Sequence, residues 1–393
     1  MTAAARSSST GLEAALDDPG LLGPGPISLC ANYTSVTEDL GRGVDALLTA
    51  GVEIGALLTP EHGYWGAVQA GLSEGDGEDP ATGIAVLDTY GVAGEQLDAL
   101  LCGAPEHIVV DLQDIGCRFY TYTWTLFDLL CAAARLGRRV TVLDRPNPLG
   151  GTVHGPGLEP ACASFVGRTS IPLQHGLTLG ELARWFASEH VPQTTGSDVD
   201  LTVVGMSGWH GQRQAADDTW VLPSPNMPTA ATALLYPATG LLEGTTLSEG
   251  RGTTKPFQLC GAPWTDARFA AAMREHRLPG LAVREAVFRP TFHAFADQTV
   301  HGVQLHVQDA DAFDPILTGW TLLSTVAELY PDQELWREHD PARPPFLDLL
   351  WGSATLREGI DSGASLDEVL AASPVAARIC PDLLLYPRLE ENP

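Results

Sequence analysis

The chain has 393 residues, 44% of them hydrophobic and 18% charged, which describes a folded globular chain long enough for two domains and for a core that needs no disulfide or metal. Its 22 basic and 49 acidic residues give a formal net charge of −27, a surface that repels phosphate backbones and anionic membranes and argues against nucleic-acid or membrane partners. The seven cysteines are odd in number and lack CxxC or Cys/His ligand spacing, so they read as free thiols of a reducing compartment. No apolar run opens the chain and no stretch of about 18 apolar residues occurs in it, so the expectation is a cytoplasmic protein.

Residues 1–20, small and polar, read as a flexible tail. Then strands and helices alternate. ISLCANY (27–33) is a strand, 38–50 a helix closed by Gly51, and VEIGALLTP (52–60) a second strand. Residues 83–91 form a third strand, 94–101 a short helix, and HIVVDLQD (107–114) a fourth strand. A helix over 121–137 ends at Gly137, and RRVTVLDRP (138–146) is the fifth strand. This alternation predicts an α/β fold: a Rossmann-like parallel sheet with helices on both faces. Thr178 and Glu181 make a capping box that opens a helix to about His190, and 200–206 is another strand. Residues 208–263 read as a long, glycine-rich functional loop region. A helix near 265–276, strands near 285–292 and 300–308, and helices near 314–329 and 365–373 suggest a smaller α+β domain. The expected division is 21–260 for the Rossmann-like domain, which carries most motif loops, and 261–393 for the smaller domain that closes the cleft.

Parallel strands present their carboxyl ends along one edge, where open α/β sheets bind ligands. Here that edge gathers Pro60-Glu61-His62-Gly63, Asp111-Leu112-Gln113-Asp114 and Asp144-Arg145-Pro146-Asn147. Glu61, next to Tyr64 and Trp65, has the setting of a general acid with a raised pKa; an exposed loop carboxylate is the commoner reading of such a residue. Asp111 lies in an apolar strand and needs a partner or a task, and Arg118 is the candidate partner. Asp114, Tyr120 and Tyr122 would edge the same pocket. For Asn147, turn chemistry suffices. Glu249 and Arg251 sit between glycines in SEGRGTTKPF, which is neither a P-loop nor a full dinucleotide fingerprint. GxSxG and HExxH are absent, and His62, His154, His175 and His210 are scattered, so no metal site is expected.

Eight segments in order carry a family resemblance: LLTPEHGYWG, VVDLQDIGCRFYTYTW, TVLDRPNPLGG, SFVGRTSIPLQHGLTLGELA, PSPNMPT, YPATGLLEGTTLSEGRGTTKPFQLCGAPW, FRPTFHAFADQTVHGVQLHV and LDLLWGS. Together they resemble the YbbC-like family that includes the NamZ exo-β-N-acetylmuramidases. The resemblance implies a Rossmann-like N-terminal domain, a smaller C-terminal domain and an active site in the cleft between them. It implies no organic cofactor, so the Rossmann pattern is not read as NAD binding. It also implies an exo-acting glycoside hydrolase that releases N-acetylmuramic acid (MurNAc) from peptidoglycan fragments, as in muropeptide recycling, with a small carbohydrate as its partner. Glu61 is then the expected acid, and Asp111, Asp114, Glu249 or the sugar's own acetamido group fills the second role. Asn32, His62, Gln113, Arg118, Tyr120, Tyr122, Arg145, His175, Asn226 and Arg251 are the expected sugar-binding residues, with the arginines suited to the lactyl carboxylate. Ala67, Leu72 and Val92 stand where relatives commonly carry acids, with Glu74, Glu78 or Glu95 as candidate substitutes. The alternative reading is a catalytically altered or silent member that binds muropeptides or other amino-sugar glycosides.

Overall fold

The computed structural model describes residues 9–72, 74–215 and 219–388. In chain order the strands of the main sheet are β1 (Ile27–Ala31), β2 (Ile54–Thr59), β3 (Gly77–Glu78), β4 (Ala85–Asp88), β5 (His107–Asp111), β6 (Arg139–Leu143) and β7 (Asp200–Val204). They lie in the order β3-β4-β2-β1-β5-β6-β7, all parallel except the edge strand β3. Strand order therefore reverses between β1 and β5, the switch point of a doubly wound sheet.

Side chains alternate across the sheet because successive strand residues face opposite ways. Leu29, Leu57 and Val109 pack on one face with Leu12 and Leu47. Cys30, Leu58, Ile108 and Val110 pack on the other with Trp124 and Phe186. The long helix Tyr122–Leu136 covers this second face and ends at Gly137 in the left-handed conformation. Both faces are dry, which is why the strands read as apolar runs.

A second, antiparallel sheet has the order β8-β10-β9, from β8 (Leu259–Ala262), β9 (Leu281–Phe288) and β10 (Val300–Val307). Helices Ala267–Glu275 and Pro315–Leu329 pack with it, near their expected positions. Among the described residues no helix is long and apolar enough to cross a membrane.

Two expectations need correction. The tail expected over 1–20 is structured from residue 9 onward; residues 1–8 lie outside the described residues. Thr10 caps a helix over Gly11–Asp17, and Glu13 returns the bond to complete a capping box. Leu12 and Ala15 are buried, and Gly11 N–H donates to the Asp144 carbonyl (2.8 Å) beyond β6. The loop expected over 208–263 contains the helix Ala230–Thr239, which Thr229 caps, and β8. Its Pro237 and dense glycines hid a helix that forms because its Ala233, Leu235 and Tyr236 side are buried.

Candidate active site

Glu61 lies just past β2, in a turn that closes through Gly63 N–H to the Pro60 carbonyl (3.2 Å). His62 (φ 75°) and Gly63 (φ 75°) are both left-handed, so the chain reverses here at a strained residue. A Cβ on Gly63 would fall 1.8 Å from the Glu74 carboxylate, which accepts from Tyr64 N–H (2.9 Å). Of the three acids considered as substitutes, Glu74 is therefore the one that braces this turn; Glu78 lies in β3, and Glu95 opens a helix, both exposed.

The Glu61 carboxylate is buried and held from several elements. It accepts from Gly71 N–H (2.8 Å) and from the Thr121 hydroxyl (2.6 Å) at the head of the long helix. The Tyr90 hydroxyl, past β4, has its pKa raised by burial and lies close enough for the Glu61 charge to raise it further. Tyr64 and Trp65, expected to shield it, instead take Arg42: its guanidinium bonds the Tyr64 hydroxyl (3.1 Å) and lies 4.9 Å from the Trp65 ring. His62 Nδ1 pairs with the Val68 carbonyl (2.9 Å), and burial lowers its pKa, so it is neutral near pH 7.

A second carboxylate comes from the glycine-rich segment before β8. Glu249 is 1% exposed. Its Oε1 has no hydrogen-bond partner among the described residues and lies 3.5 Å from Arg251 Nη1 and 3.4 Å from His293 Nδ1. Burial, helped by the Glu243 charge and opposed by Arg251, pushes its pKa up to about 7. Arg251 pairs more closely with Glu243 (2.9 Å) and stacks on Phe257 (5.0 Å).

The two carboxylates share one neighbourhood. His62 and the buried Tyr236 each feel the charges of both Glu61 and Arg251. Asn226 Nδ2, from the loop after β7, donates to Gln69 (2.9 Å) on the Glu61 loop. Tyr120 packs edge-on against Tyr122 (5.0 Å) and Tyr236 (6.0 Å).

Other expected site residues serve the framework. Asp111, fully buried, is bound by Arg145 through Nε (2.5 Å) and Nη2 (2.9 Å) and by the Ser35 hydroxyl (2.5 Å), not by Arg118. Arg118 lies fully buried and donates to the carbonyls of Pro156, Gly157, Ile171, Leu350 and Trp351, so its guanidinium ties loops together rather than facing a ligand. Asp114 accepts from Gly116 N–H (2.6 Å) and Thr123 (3.2 Å), with His175 Nε2 at 3.3 Å; His175 Nδ1 accepts from Leu177 N–H (3.2 Å). Both are thereby occupied in holding the loop after β5. Asn32 donates to the Tyr122 hydroxyl (2.8 Å), which donates in turn to the Pro223 carbonyl. Gln113 donates to the carbonyls of Asp114 and Pro146 (both 2.8 Å).

Thr121, Tyr90, Tyr236, Glu243 and His293 are neighbours of the carboxylates that the residue-by-residue reading missed. Tyr90 was accessible to the strand-edge argument, since it follows β4 on the same edge. His293 was not: it follows β9 in the other sheet, and its left-handed backbone (φ 68°) has no signature in TFHAF.

A doubly wound sheet that carries buried carboxylates and a tyrosine cluster near the carboxyl ends of its strands, beside a second, smaller sheet, is the architecture of an α/β enzyme. The chain belongs to the NamZ exo-β-N-acetylmuramidase family: the model of its N-terminal part matches residues 27–231 and that of its C-terminal part residues 234–375. It is 41% identical over 350 residues to the peptidoglycan β-N-acetylmuramidase NamZ of Bacillus subtilis (strain 168), which covers 88% of this chain and 82% of that one. Two solved structures of DUF1343 family proteins from Bacteroides fragilis NCTC 9343 are similar to it. One has a TM-score of 0.83 at 31% identity, covering 93% of this chain and 94% of the other. The second has a TM-score of 0.76 at 28% identity, covering 97% and 99%.

Proposed function

We propose that this protein is an exo-acting glycoside hydrolase that releases N-acetylmuramic acid from the non-reducing end of peptidoglycan fragments. The observation that carries the reading is the pair of buried carboxylates, Glu61 and Glu249, held in one charged neighbourhood in a chain of this family. Glycosidic cleavage needs a proton for the leaving oxygen and a group that stabilises the oxocarbenium-like carbon.

Glu249 suits the proton donor, because burial keeps much of it protonated near pH 7. Glu61 suits the second role, because its oxygens accept from Gly71 N–H and the Thr121 hydroxyl and are fixed in place. This exchanges the roles that Glu61 has in the sequence reading. Arg251 spends its charge on Glu243 and Glu249, so it tunes the acid rather than gripping the lactyl carboxylate. Tyr120 and Asn226 remain candidates for sugar contacts. The reading places the protein in the cytoplasm, acting on recycled fragments, which cell fractionation tests.

The test is mass spectrometry of products from a MurNAc–GlcNAc disaccharide. Wild type is expected to yield free MurNAc, and Glu61→Gln and Glu249→Gln to lose about 10²-fold or more in rate. Undiminished cleavage by both variants would refute the assignment, and no cleavage by wild type would favour a binding protein.

A further inference from the structure

The same sheet edge holds a cavity of about 580 Å³, a size that accommodates a small ligand such as a sugar. It opens where strand order reverses, at the carboxyl ends of β1, β5 and β6. Thr34, Val36, Gln113, Arg145, Trp209 and Trp220 are among its lining residues. The segment that brings Trp220 into it continues to Pro223 and Asn226, which bond Tyr122 and Gln69 beside the Glu61 turn.

Arg145 is the unusual group here. It is 7% exposed, and Asp111 and the Val36 carbonyl (3.1 Å) engage its Nε and Nη2. Its Nη1 has no partner among the described residues, and the side chain lines the cavity. A buried guanidinium with one nitrogen left over is a donor in search of an oxygen. Around it, the Trp220 indole N–H is spent on the Met227 carbonyl (2.9 Å), which leaves the ring for stacking. The Gln113 amide nitrogen is also spent, so that side chain offers its oxygen as an acceptor. Glu13, also at the cavity, is held by Thr10 in the capping box.

We propose that this cavity is a second carbohydrate site, which takes a sugar bearing a carboxylate, with the acid group on Arg145 Nη1 and the ring against Trp220. Two sources share this chemistry: free MurNAc and an internal muramic residue of a longer glycan. The choice of a muramic sugar as probe rests on the function proposed above; occupancy of the cavity does not depend on cleavage.

The experiment is calorimetric titration of the full chain with free MurNAc. Trp220→Ala removes the stacking face and Val36→Trp fills the cavity. Each is expected to bind one MurNAc fewer than wild type, with melting temperature as the check on folding. Arg145→Lys keeps a cation beside Asp111 but lacks Nη1, and is expected to weaken this event about tenfold or more. Glu61→Gln should retain it, and N-acetylglucosamine, without a carboxylate, should not compete for it. Identical binding by wild type, Trp220→Ala and Val36→Trp, or no binding by any of them, overturns the proposal whatever the turnover of the disaccharide. A KM lower for a tetrasaccharide than for a disaccharide in wild type, but equal in Val36→Trp, identifies the ligand as an internal residue; no dependence on length identifies it as the free sugar.

Discussion

Glu249→Gln tests the electrostatic reading of the site through stability as well as rate. The wild-type carboxyl has its pKa raised from 4.5 to about 7, chiefly by burial. The native state therefore binds a proton more readily than the unfolded chain does. Stability from this group is fully present below about pH 4.5 and is lost as pH rises to about 7. A gap of about 2.5 pH units, at about 1.4 kcal/mol for each, sets the loss at about 3–4 kcal/mol. Glutamine keeps the shape and cannot ionise, and Arg251 keeps its closer partner Glu243. The variant should therefore gain on wild type as pH rises, by up to about 3–4 kcal/mol at pH 8, with the difference gone at pH 4. Urea unfolding at pH 4, 6 and 8 reads this directly, alongside the loss of MurNAc release. A variant that is less stable than wild type by the same amount at all three pH values would refute the burial argument, because a lost ion pair and not a relieved carboxylate would then dominate.

Arg118→Leu should unfold readily: the carbonyls of Pro156, Gly157, Ile171, Leu350 and Trp351 lose their donor together, at about 3–5 kcal/mol. An unchanged urea midpoint would contradict the structural role. Gly63→Ala forces a methyl against the Glu74 carboxylate at a left-handed position, and should cost about 1–2 kcal/mol and displace Glu61. Glu74→Ala in the same chain should restore part of the rate; if Gly63→Ala alone turns over like wild type, Glu74 does not brace the turn.

Much of the fold was legible in the chain, since apolar runs of strand length with helices between them have few solutions other than a covered parallel sheet. β1, β2, β5 and β6 lie where the runs put them, and Pro60–Gly63 marks its own turn. The helix Ala230–Thr239 was not legible, because proline and glycine signal loops locally while burial of one side decides the outcome. The same holds for Gly11–Asp17, a helix short enough to need the sheet it rests on.

Which residues carry acids, bases and turns is written in the sequence, and so is the sheet edge that gathers them. What each charge faces is decided by tertiary structure. Asp111 seemed matched to Arg118, its near neighbour in the chain. But β5 runs parallel beside β6, with Val110 opposite Val142, so Arg145 just past β6 lies against Asp111. Arg118 turns the other way, into backbone carbonyls drawn from two loops and the end of the helix Phe346–Trp351. Glu249 and His293 meet because the segment before β8 folds back along it, bridging Ser248 to Gly261, and takes the Thr291 N–H from beyond β9 on its Gly252 carbonyl (2.9 Å). Charges act over a few ångströms of space, and strand order, which no local pattern records, sets which residues those ångströms join.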